Sequence, residues 1–293
     1  MRITRRHLQL SLAALWLLDA ALQCQPYMFS RGFARTILMS AGMGQPAAIA
    51  GPVHAVAALV ATHAALANGA FAAIQLALGV SLLTRRFARV ALLASIAWAL
   101  GIWFVGEGLG GVASGATLLT GAPGAALLYA VVAVLAYPSR DGSPDEAPPR
   151  LAVAAWCALW AAGAGLQLVA GNDTGASVTG ALRGAQSSAP GWIAGIDARL
   201  GGLHVPNGAV AAAIAVYALV ALWALVPGRV RTLSLMLGVV LALSAWLLVQ
   251  GLGDLTSGQS TDPNSGPLVV LLAVAVAGTT PRTADDRPQL QAA

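Results

Sequence analysis

The sequence predicts an all-α polytopic membrane protein with about eight transmembrane helices, arranged as two parallel four-helix repeats. Composition is the first reason: hydrophobic residues make up 58% of the 293 positions and charged residues 9%, whereas soluble domains average about 25% charged residues. Mean hydropathy is the second reason, because a value of +0.75 leaves too few polar groups to cover a surface in water. The third reason is an internal repeat of two motifs.

The repeat is read directly from the sequence. Leu-Trp-x-x-Asp-x-x-Leu-Gln at 15–23 recurs 144 residues later as Leu-Trp-x-x-Gly-x-x-Leu-Gln at 159–167. Trp-x-x-x-Glu-Gly-Leu-Gly-Gly-x-x-Ser-Gly at 103–115 recurs 143 residues later as Trp-x-x-x-Gln-Gly-Leu-Gly-Asp-x-x-Ser-Gly at 246–258. Two matches at nearly one offset indicate a tandem duplication.

Each half contains four apolar stretches near the length of about 20 residues that a helix needs to cross a bilayer. They are 8–25, 66–84, 88–106 and 123–137 in the first half, and 151–170, 207–226, 230–250 and 266–280 in the second. The fourth and eighth are short, which indicates little tilt or a thinned bilayer. The first stretch follows a basic N-terminus like that of a signal peptide. It has no small-residue cleavage site and has a counterpart in the second half, so we expect a retained helix.

The distribution of arginine predicts the orientation. All 16 basic residues are Arg. With the N-terminus inside, twelve of them fall in inner segments and four in outer segments, namely Arg31, Arg35, Arg183 and Arg199. Both termini are therefore placed in the cytoplasm. The basic residues form no patch with interleaved aromatics, so the lipid bilayer is the expected partner and nucleic acid is not.

These features divide the chain into four parts. Residues 1–137 form the first four-helix repeat, 138–150 a polar, Pro-rich cytoplasmic linker, 151–280 the second repeat and 281–293 a disordered cytoplasmic tail. Because each repeat has an even number of helices, both share one orientation, with a pseudo-two-fold axis along the membrane normal. The long outer segments 26–65 and 171–206 mix apolar residues with Gly and Pro. They predict short helices that lie in the interface or re-enter the bundle.

Asp19 and Glu107 are the residues that folding explains least. An ionised carboxylate among apolar helices is costly unless it is paired or hydrated, so we predict both as catalytic groups. Further polar residues toward the outer side are predicted to bind a ligand: Gln23, Asn68, Gln250, Asp254, Asp262 and Asn264. Together they predict an outward-facing polar pocket near the pseudo-axis. Because Asp19 aligns with Gly163 and Glu107 with Gln250, a single asymmetric site is expected rather than two.

Several of these residues and motifs also have explanations that involve structure alone. Glu107 can extend to the outer surface, the two Gly-Leu-Gly motifs favour tight turns over phosphate binding, and Asp-Pro-Asn-Ser-Gly-Pro at 262–267 is a turn and helix-start signal. The four histidines lack metal-site spacing, so no metal is predicted. The eight tryptophans are expected mostly as interfacial anchors. The two cysteines are expected to stay unpaired.

One helix hairpin of the first half carries a further pattern. Residues 68–89 read Asn-Gly-Ala-Phe-Ala-Ala-Ile-Gln-Leu-Ala-Leu-Gly-Val-Ser-Leu-Leu-Thr-Arg-Arg-Phe-Ala-Arg. This segment resembles the DoxX-type family of four-helix membrane proteins, in which a polar residue and Gly open a helix that closes in Gly-x-x-x-x-Thr-Arg. The chain departs at Asn68, where that family commonly has an acidic residue, and the second half keeps only Asn207-Gly208 and two arginines, Arg229 and Arg231.

The resemblance implies two fused DoxX-like units in a bacterial inner membrane. It also implies partnership with a quinone-linked or sulfur-handling oxidoreductase, since DoxD-like members are subunits of thiosulfate:quinone oxidoreductase. The first function we consider is therefore a subunit that supports redox chemistry at the outer face, with quinone between the helices and protons relayed by Glu107 or Asp19. The redox centre would belong to a partner protein or to bound quinone.

Two other functions stay open. A carrier of a small solute or an ion could use the same pocket, although the inner halves of the helices are almost purely apolar. A scaffold or assembly factor would have no chemistry of its own and would tolerate substitution of Asp19 and Glu107. The sequence names neither substrate nor cofactor.

Overall fold

The computed structural model describes residues 4–138, 149–185 and 189–278. The helices of the first half are α1 (Arg5–Gln23), α2 (Ala47–Thr62), α3 (Ala64–Leu83), α4 (Ala88–Gly101) and α5 (Ala125–Leu135). Those of the second half are α6 (Pro149–Gln167), α7 (Gly175–Ala185), α8 (Gly191–Gly201), α9 (Asn207–Trp223), α10 (Arg229–Leu248) and α11 (Ser265–Ala277). Over these ranges the chain is all-helical, with no β-strand.

Four helical segments are long and apolar enough to cross a membrane. They are Ala64–Leu83, Ala88–Gly106, Pro149–Gln167 and Arg229–Leu248. Fewer than half of the residues in these segments are buried, and large apolar ones such as Leu66, Val90 and Met236 are exposed. Apolar helices with such a surface are consistent with contact with a lipid bilayer. Four shorter apolar helices accompany them: α2, α5, α9 and α11.

Every apolar stretch predicted from the sequence is helical over most of its length. The outer segments are helical as well: the first contains short turns at Pro26–Phe29 and Phe33–Leu38 followed by α2, and the second contains α7 and α8. The predicted linker and tail fall largely outside the described residues, at 139–148 and 279–293.

The helices of the two halves pack in the same order. In the first half α1 packs on α3, α3 on α4, and α4 on α5. In the second, α6 packs on α9, α9 on α10, and α10 on α11. The halves meet where α5 contacts α11. Each half has a buried Trp–Ser hydrogen bond: the indole nitrogen of Trp16 donates to Ser95 Oγ (2.8 Å) and that of Trp156 donates to Ser234 Oγ (3.1 Å). The two bonds are not made by aligned residues, because Trp16 aligns with Trp160, one turn after Trp156.

Several tryptophans lie in this core rather than at helix ends facing lipid. Trp16, Trp156 and Trp160 are buried, and Trp16 packs against Tyr129 with 4.5 Å between ring centroids. The prediction of interfacial anchors is wrong for these three. Their serine and tyrosine partners lie on other helices, so the aromatic side chains fix how the helices pack.

A left-handed turn follows the third long helix of each half. Residues 108–111 all have positive φ, between 54° and 69°, and residues 251–254 repeat this with φ between 53° and 68°. Such a run needs glycine at most positions. A Cβ on Gly110 would overlap the Pro123 carbonyl, and one on Gly253 would lie 2.6 Å from the Pro263 carbonyl oxygen. The tight-turn explanation of the Gly-Leu-Gly motifs therefore holds, and the turn brings each loop against the start of the next helix.

Candidate functional site

A cavity of about 310 Å³ lies within the first half, between α1, α3, the end of α4 and the outer segment. Most of its wall is apolar and partly aromatic. The apolar lining consists of Phe33, Ile37, Leu38, Val56, Phe71, Ile102 and Val105. Its size and lining are those of a small-molecule site, where a largely apolar wall carries a few polar groups that orient a ligand.

The polar groups of the cavity come from four separate elements: Gln23 ends α1, Gln75 lies in α3, Trp98 lies in α4 and Glu107 follows the π-helical turn Ile102–Gly106. Within the described residues, one polar atom of each has no hydrogen-bond partner: Gln23 Oε1, Gln75 Oε1, Trp98 Nε1 and Glu107 Oε2. Buried polar atoms are rarely left without a partner. Four such atoms around one cavity indicate that a ligand or water supplies the missing hydrogen bonds.

Glu107 joins the cavity to the start of α5. Its Oε1 accepts a hydrogen bond from Ala126 N (2.9 Å) and so satisfies one of the free N–H groups of that helix. Its Oε2 has no partner in the described part of the chain. Burial, and secondly the charge of Asp262, raise the pKa of Glu107 to about 8. The side chain is therefore mostly a neutral acid at pH 7, able to donate a hydrogen bond or release a proton.

Asp262 reaches the same cavity from the second half. Its loop crosses onto the first-half bundle, where Gln25 Nε2 donates to Ser260 O (3.2 Å). The Asp262 carboxylate accepts from Asn264 N (2.7 Å) and from Thr261 Oγ1 (2.9 Å), and burial raises its pKa. Thr261 also lines the cavity. The site is thus assembled from both halves of the chain.

Asp19 lies one turn before Gln23 on α1 and is only 2% exposed. Its Oδ1 has no hydrogen-bond partner among the described residues, and the Tyr129 hydroxyl lies close to its carboxyl group. The charge of Asp262 acts on both Asp19 and Glu107. The three carboxyl groups, here called the carboxyl cluster, are therefore coupled electrostatically, and two of them, those of Glu107 and Asp262, belong to residues that line the cavity.

Asn68 holds the cavity wall in place without lining it. It is fully buried at the first turns of α3, and its Nδ2 donates to Gln23 O (2.8 Å) at the end of α1. This bond ties α3 to the helix end that presents Gln23. Asn68, which the sequence predicts as ligand-binding, supports the site through Gln23 in this structure.

Gln250 lies apart from this cluster. It borders a space of only about 20 Å³ in the second half, together with Leu118, Trp160 and Tyr217. Its Nε2 donates to Leu119 O (3.3 Å), and its Oε1 accepts from Ser265 Oγ (3.0 Å) at the start of α11. These bonds are those of a residue that holds a loop against a helix, and the structure does not bring Gln250 to the cavity.

Asp254 and Asn264 line a second cavity of about 300 Å³, whose wall is mainly polar. Asp262 lines this polar cavity together with Asp254 and Asn264, and it also lines the first cavity. Of the eight residues singled out in the sequence, Gln23, Glu107 and Asp262 line the first cavity and Asp19 and Asn68 adjoin Gln23.

Gln75, Trp98 and Tyr129 are members of the site that the sequence reasoning missed. Gln75 is 5% exposed. The sequence does contain a clue to it, because Gln75 is an amide in the middle of a mostly apolar helix. Trp98 looks like any tryptophan of a membrane helix. Tyr129 carries no signal in the sequence, because its role follows from the approach of α5 to α1.

Histidine, cysteine and acidic side chains form no metal-binding group of three or more within the described residues. Comparisons with models of known protein families, with curated proteins and with solved structures found no match to this chain. The DoxX resemblance therefore stays a prediction that rests on residues 68–89.

Proposed function

We propose that this chain is a multi-pass protein of the bacterial inner membrane that binds a quinone headgroup in the first-half cavity and exchanges protons with it. The observation that carries the proposal is an apolar, partly aromatic cavity whose wall includes unpartnered polar atoms and two acidic residues, Glu107 and Asp262. The DoxX resemblance, with its quinone-linked partners, agrees with the proposal.

The proposed topology has eight membrane helices in two parallel repeats with both termini in the cytoplasm. It is supported by the equivalent order of helix contacts in the two halves and by the repeated left-handed turns. A membrane-impermeant thiol reagent tests it in intact cells, in a background without native cysteines. Asp173→Cys, in the second outer segment, is expected to be labelled and Arg86→Cys, between α3 and α4, is not. The reverse pattern would overturn the orientation.

The cavity suits the chemistry of a quinone. The ring can lie against Phe33, Phe71 and Trp98, and its carbonyl oxygens accept hydrogen bonds from the Trp98 indole N–H and from a neutral carboxylic acid. Reduction to quinol adds two electrons and two protons. In this proposal Glu107 and Asp19 supply the protons, and an oxidoreductase partner at the outer face supplies the electrons.

A carrier function is supported less well, because the other end of the first-half bundle is closed. Arg6 donates to the carbonyl oxygens of Leu82 (2.9 Å) and Leu83 (2.5 Å), tying α1 to the end of α3. Between this closure and Asp19 lie fully buried apolar residues of α1, including Leu8 and Leu12. A polar ligand has no path through such a core in this conformation.

Quinone binding is tested on the purified protein in detergent. A short-chain quinone is titrated while tryptophan fluorescence is followed, and saturable quenching that Trp98→Phe reduces is expected. Val56→Trp places a large side chain in the cavity and should abolish binding, whereas Leu59→Trp on the exposed face of the same helix, where Leu59 is 65% exposed, should leave it unchanged.

Each alternative predicts a different result. Equal quenching in Val56→Trp and Leu59→Trp would overturn the quinone site. Accumulation of a solute or cation in proteoliposomes would favour the carrier. A scaffold predicts that Glu107→Gln leaves quinone-linked respiration intact in a deletion strain, whereas our proposal predicts that respiration is lost at matched membrane levels.

A further inference from the structure

One residue, Asp262, lines three cavities of the protein. It lines the apolar cavity described above, the polar cavity of about 300 Å³ beside Asp254, and a third cavity of about 220 Å³ that also contacts Glu107. Glu107 and Asp262 thus share two of the three cavities. No other residue lining these three cavities contacts all of them.

The polar cavity is suited to hold water. Its wall includes Ser257, Gln259 and Ser260, and Ser257 and Gln259 are exposed. It therefore joins Asp262 to the outside through hydroxyl and amide groups. The apolar cavity, in contrast, reaches the carboxyl cluster along aromatic and aliphatic side chains, which water does not favour.

The Asp262 carboxyl group is held at this junction by its own loop. Asn264 N and Thr261 Oγ1 each donate to one of its oxygens, and Ser260 Oγ donates to the carbonyls of Gly253 (2.6 Å) and Asp262 (2.7 Å). The loop is fastened to the segment that follows α1 through Gln25. The position of Asp262 between the cavities is thus fixed by backbone and side-chain contacts.

We propose that Asp262 carries protons between the polar cavity and the buried carboxyl groups of the first half. The Asp262 acid gives a proton to the Glu107 carboxylate through water in the third cavity, which both residues line. The Asp262 carboxylate then takes up a proton from the outer solution through water in the polar cavity. The net change is one proton moved inward, with no change of oxidation state. The inference rests on the proposed function only for the use of that proton by quinone.

The groups that face this transfer are acidic. Asp19 from α1, Glu107 from the end of α4 and Tyr129 from α5 all interact with Asp262, and Asp254 lines the polar cavity from the left-handed turn. Acidic groups close together share protons readily, because a second ionisation beside the first is disfavoured. A proton taken up at Asp262 can therefore pass to Glu107 without leaving a separated charge pair.

The test is hydrogen–deuterium exchange of the Glu107 acid, followed by infrared spectroscopy of the protein in membranes. The carbonyl stretch of a protonated carboxyl group shifts when its hydrogen is replaced by deuterium, and the band that disappears in Glu107→Gln belongs to Glu107. Asp262→Asn keeps an oxygen to accept from Asn264 N. It is expected to slow the exchange by about tenfold or more, the range in which a positioned acid or base acts.

Asp173→Asn is the matched control, because Asp173 is an exposed carboxylate of the second outer segment that lines none of the three cavities. It should exchange like wild type. Asp262→Glu restores a carboxyl group and should restore fast exchange, which separates proton transfer from a folding defect. Unchanged exchange in Asp262→Asn, or slow exchange in Asp262→Glu with the wild-type infrared amide bands, would overturn the proposal. Neither result depends on quinone, so failure of quinone binding alone leaves this inference standing.

Discussion

Replacing Glu107 by Gln should remove a specific part of the pH dependence of stability. Gln resembles the neutral acid in shape and keeps an oxygen to accept from Ala126 N, which Glu107 Oε1 does at 2.9 Å. At about pH 6, where Glu107 is protonated, the substitution should therefore cost less than about 1 kcal/mol. The difference between the two proteins should emerge as the pH rises.

The magnitude follows from the pKa of Glu107, which is raised from its ordinary value of 4.5 to about 8 in the folded protein. Between these values the folded state binds a proton that the unfolded chain has released, so the free energy of unfolding falls as pH rises. The slope is about 1.4 kcal/mol per pH unit. From about pH 6 to about pH 7.5 wild type should lose about 2 kcal/mol that Glu107→Gln does not lose. The loss should end above the folded-state pKa.

The assay can use the chain's own cysteines. Cys157 is half-buried and its thiol contacts Ala221 O at 3.2 Å, whereas Cys24 is exposed. In a Cys24→Ser background a thiol-reactive dye should therefore report unfolding through Cys157. Unfolding by sodium dodecyl sulfate in mixed micelles, repeated across this pH range, gives the free energies of both proteins.

Parallel pH curves for the two proteins would refute the reasoning, because they would show that Glu107 ionises alike in the folded and unfolded states. A wild-type stability that rises with pH relative to that of Glu107→Gln would refute it as well, since that sign means that folding lowers the pKa of Glu107. Asp262 remains in both proteins and its raised pKa adds a slope of the same sign to each. The difference between the curves is therefore the quantity to compare.

Two further substitutions, each with a control, test how the helices and turns pack. Gly110→Ala should lower the free energy of unfolding by about 2 kcal/mol or more, because φ is +66° and the new Cβ would meet the Pro123 carbonyl. Its control is Gly69→Ala in α3, where no atom lies within 4 Å of the new Cβ. This substitution should be neutral or stabilising in the same dye assay. Trp16→Phe leaves the buried Ser95 hydroxyl without its indole donor and should cost about 1–3 kcal/mol, whereas Trp192→Phe at a 61% exposed position should cost almost nothing by the same unfolding measurement.

The helices could be predicted because each is a run of apolar residues, and hydropathy reports such runs directly. Two carboxyl residues of the site could be predicted for a related reason: Asp19 and Glu107 stand out against apolar neighbours. Gln75 gives the same kind of signal more weakly, because an amide is less costly to bury than a carboxylate.

The position of Asp262 could not be predicted from local pattern. Its sequence context is a turn before a helix, and that turn exists, with the Asn264 side chain accepting from Ser265 N. What places Asp262 in the first-half cavity is the crossing of its loop to Gln25, a contact between residues 235 positions apart. Gln250 shows the opposite outcome, since an amide that aligns with Glu107 lies in the other half and lines none of the three cavities that Asp262 lines.

The difference between the halves argues that the carboxyl cluster serves function rather than folding. Asp19 aligns with Gly163, and a Cβ at Gly163 would overlap the side chain of Leu118. In the second half, therefore, a leucine from the first-half loop fills the region next to this helix position, leaving a space of only about 20 Å³. In the first half, the loop from the second half brings Thr261 and Asp262 instead, and a cavity of about 310 Å³ remains. One bundle packs this region with apolar side chains, so the helix arrangement does not require buried acids there. Placing a buried Asp19 and the half-buried Glu107 and Asp262 together costs stability, and that cost is explained if the cavity binds a ligand that exchanges protons with them.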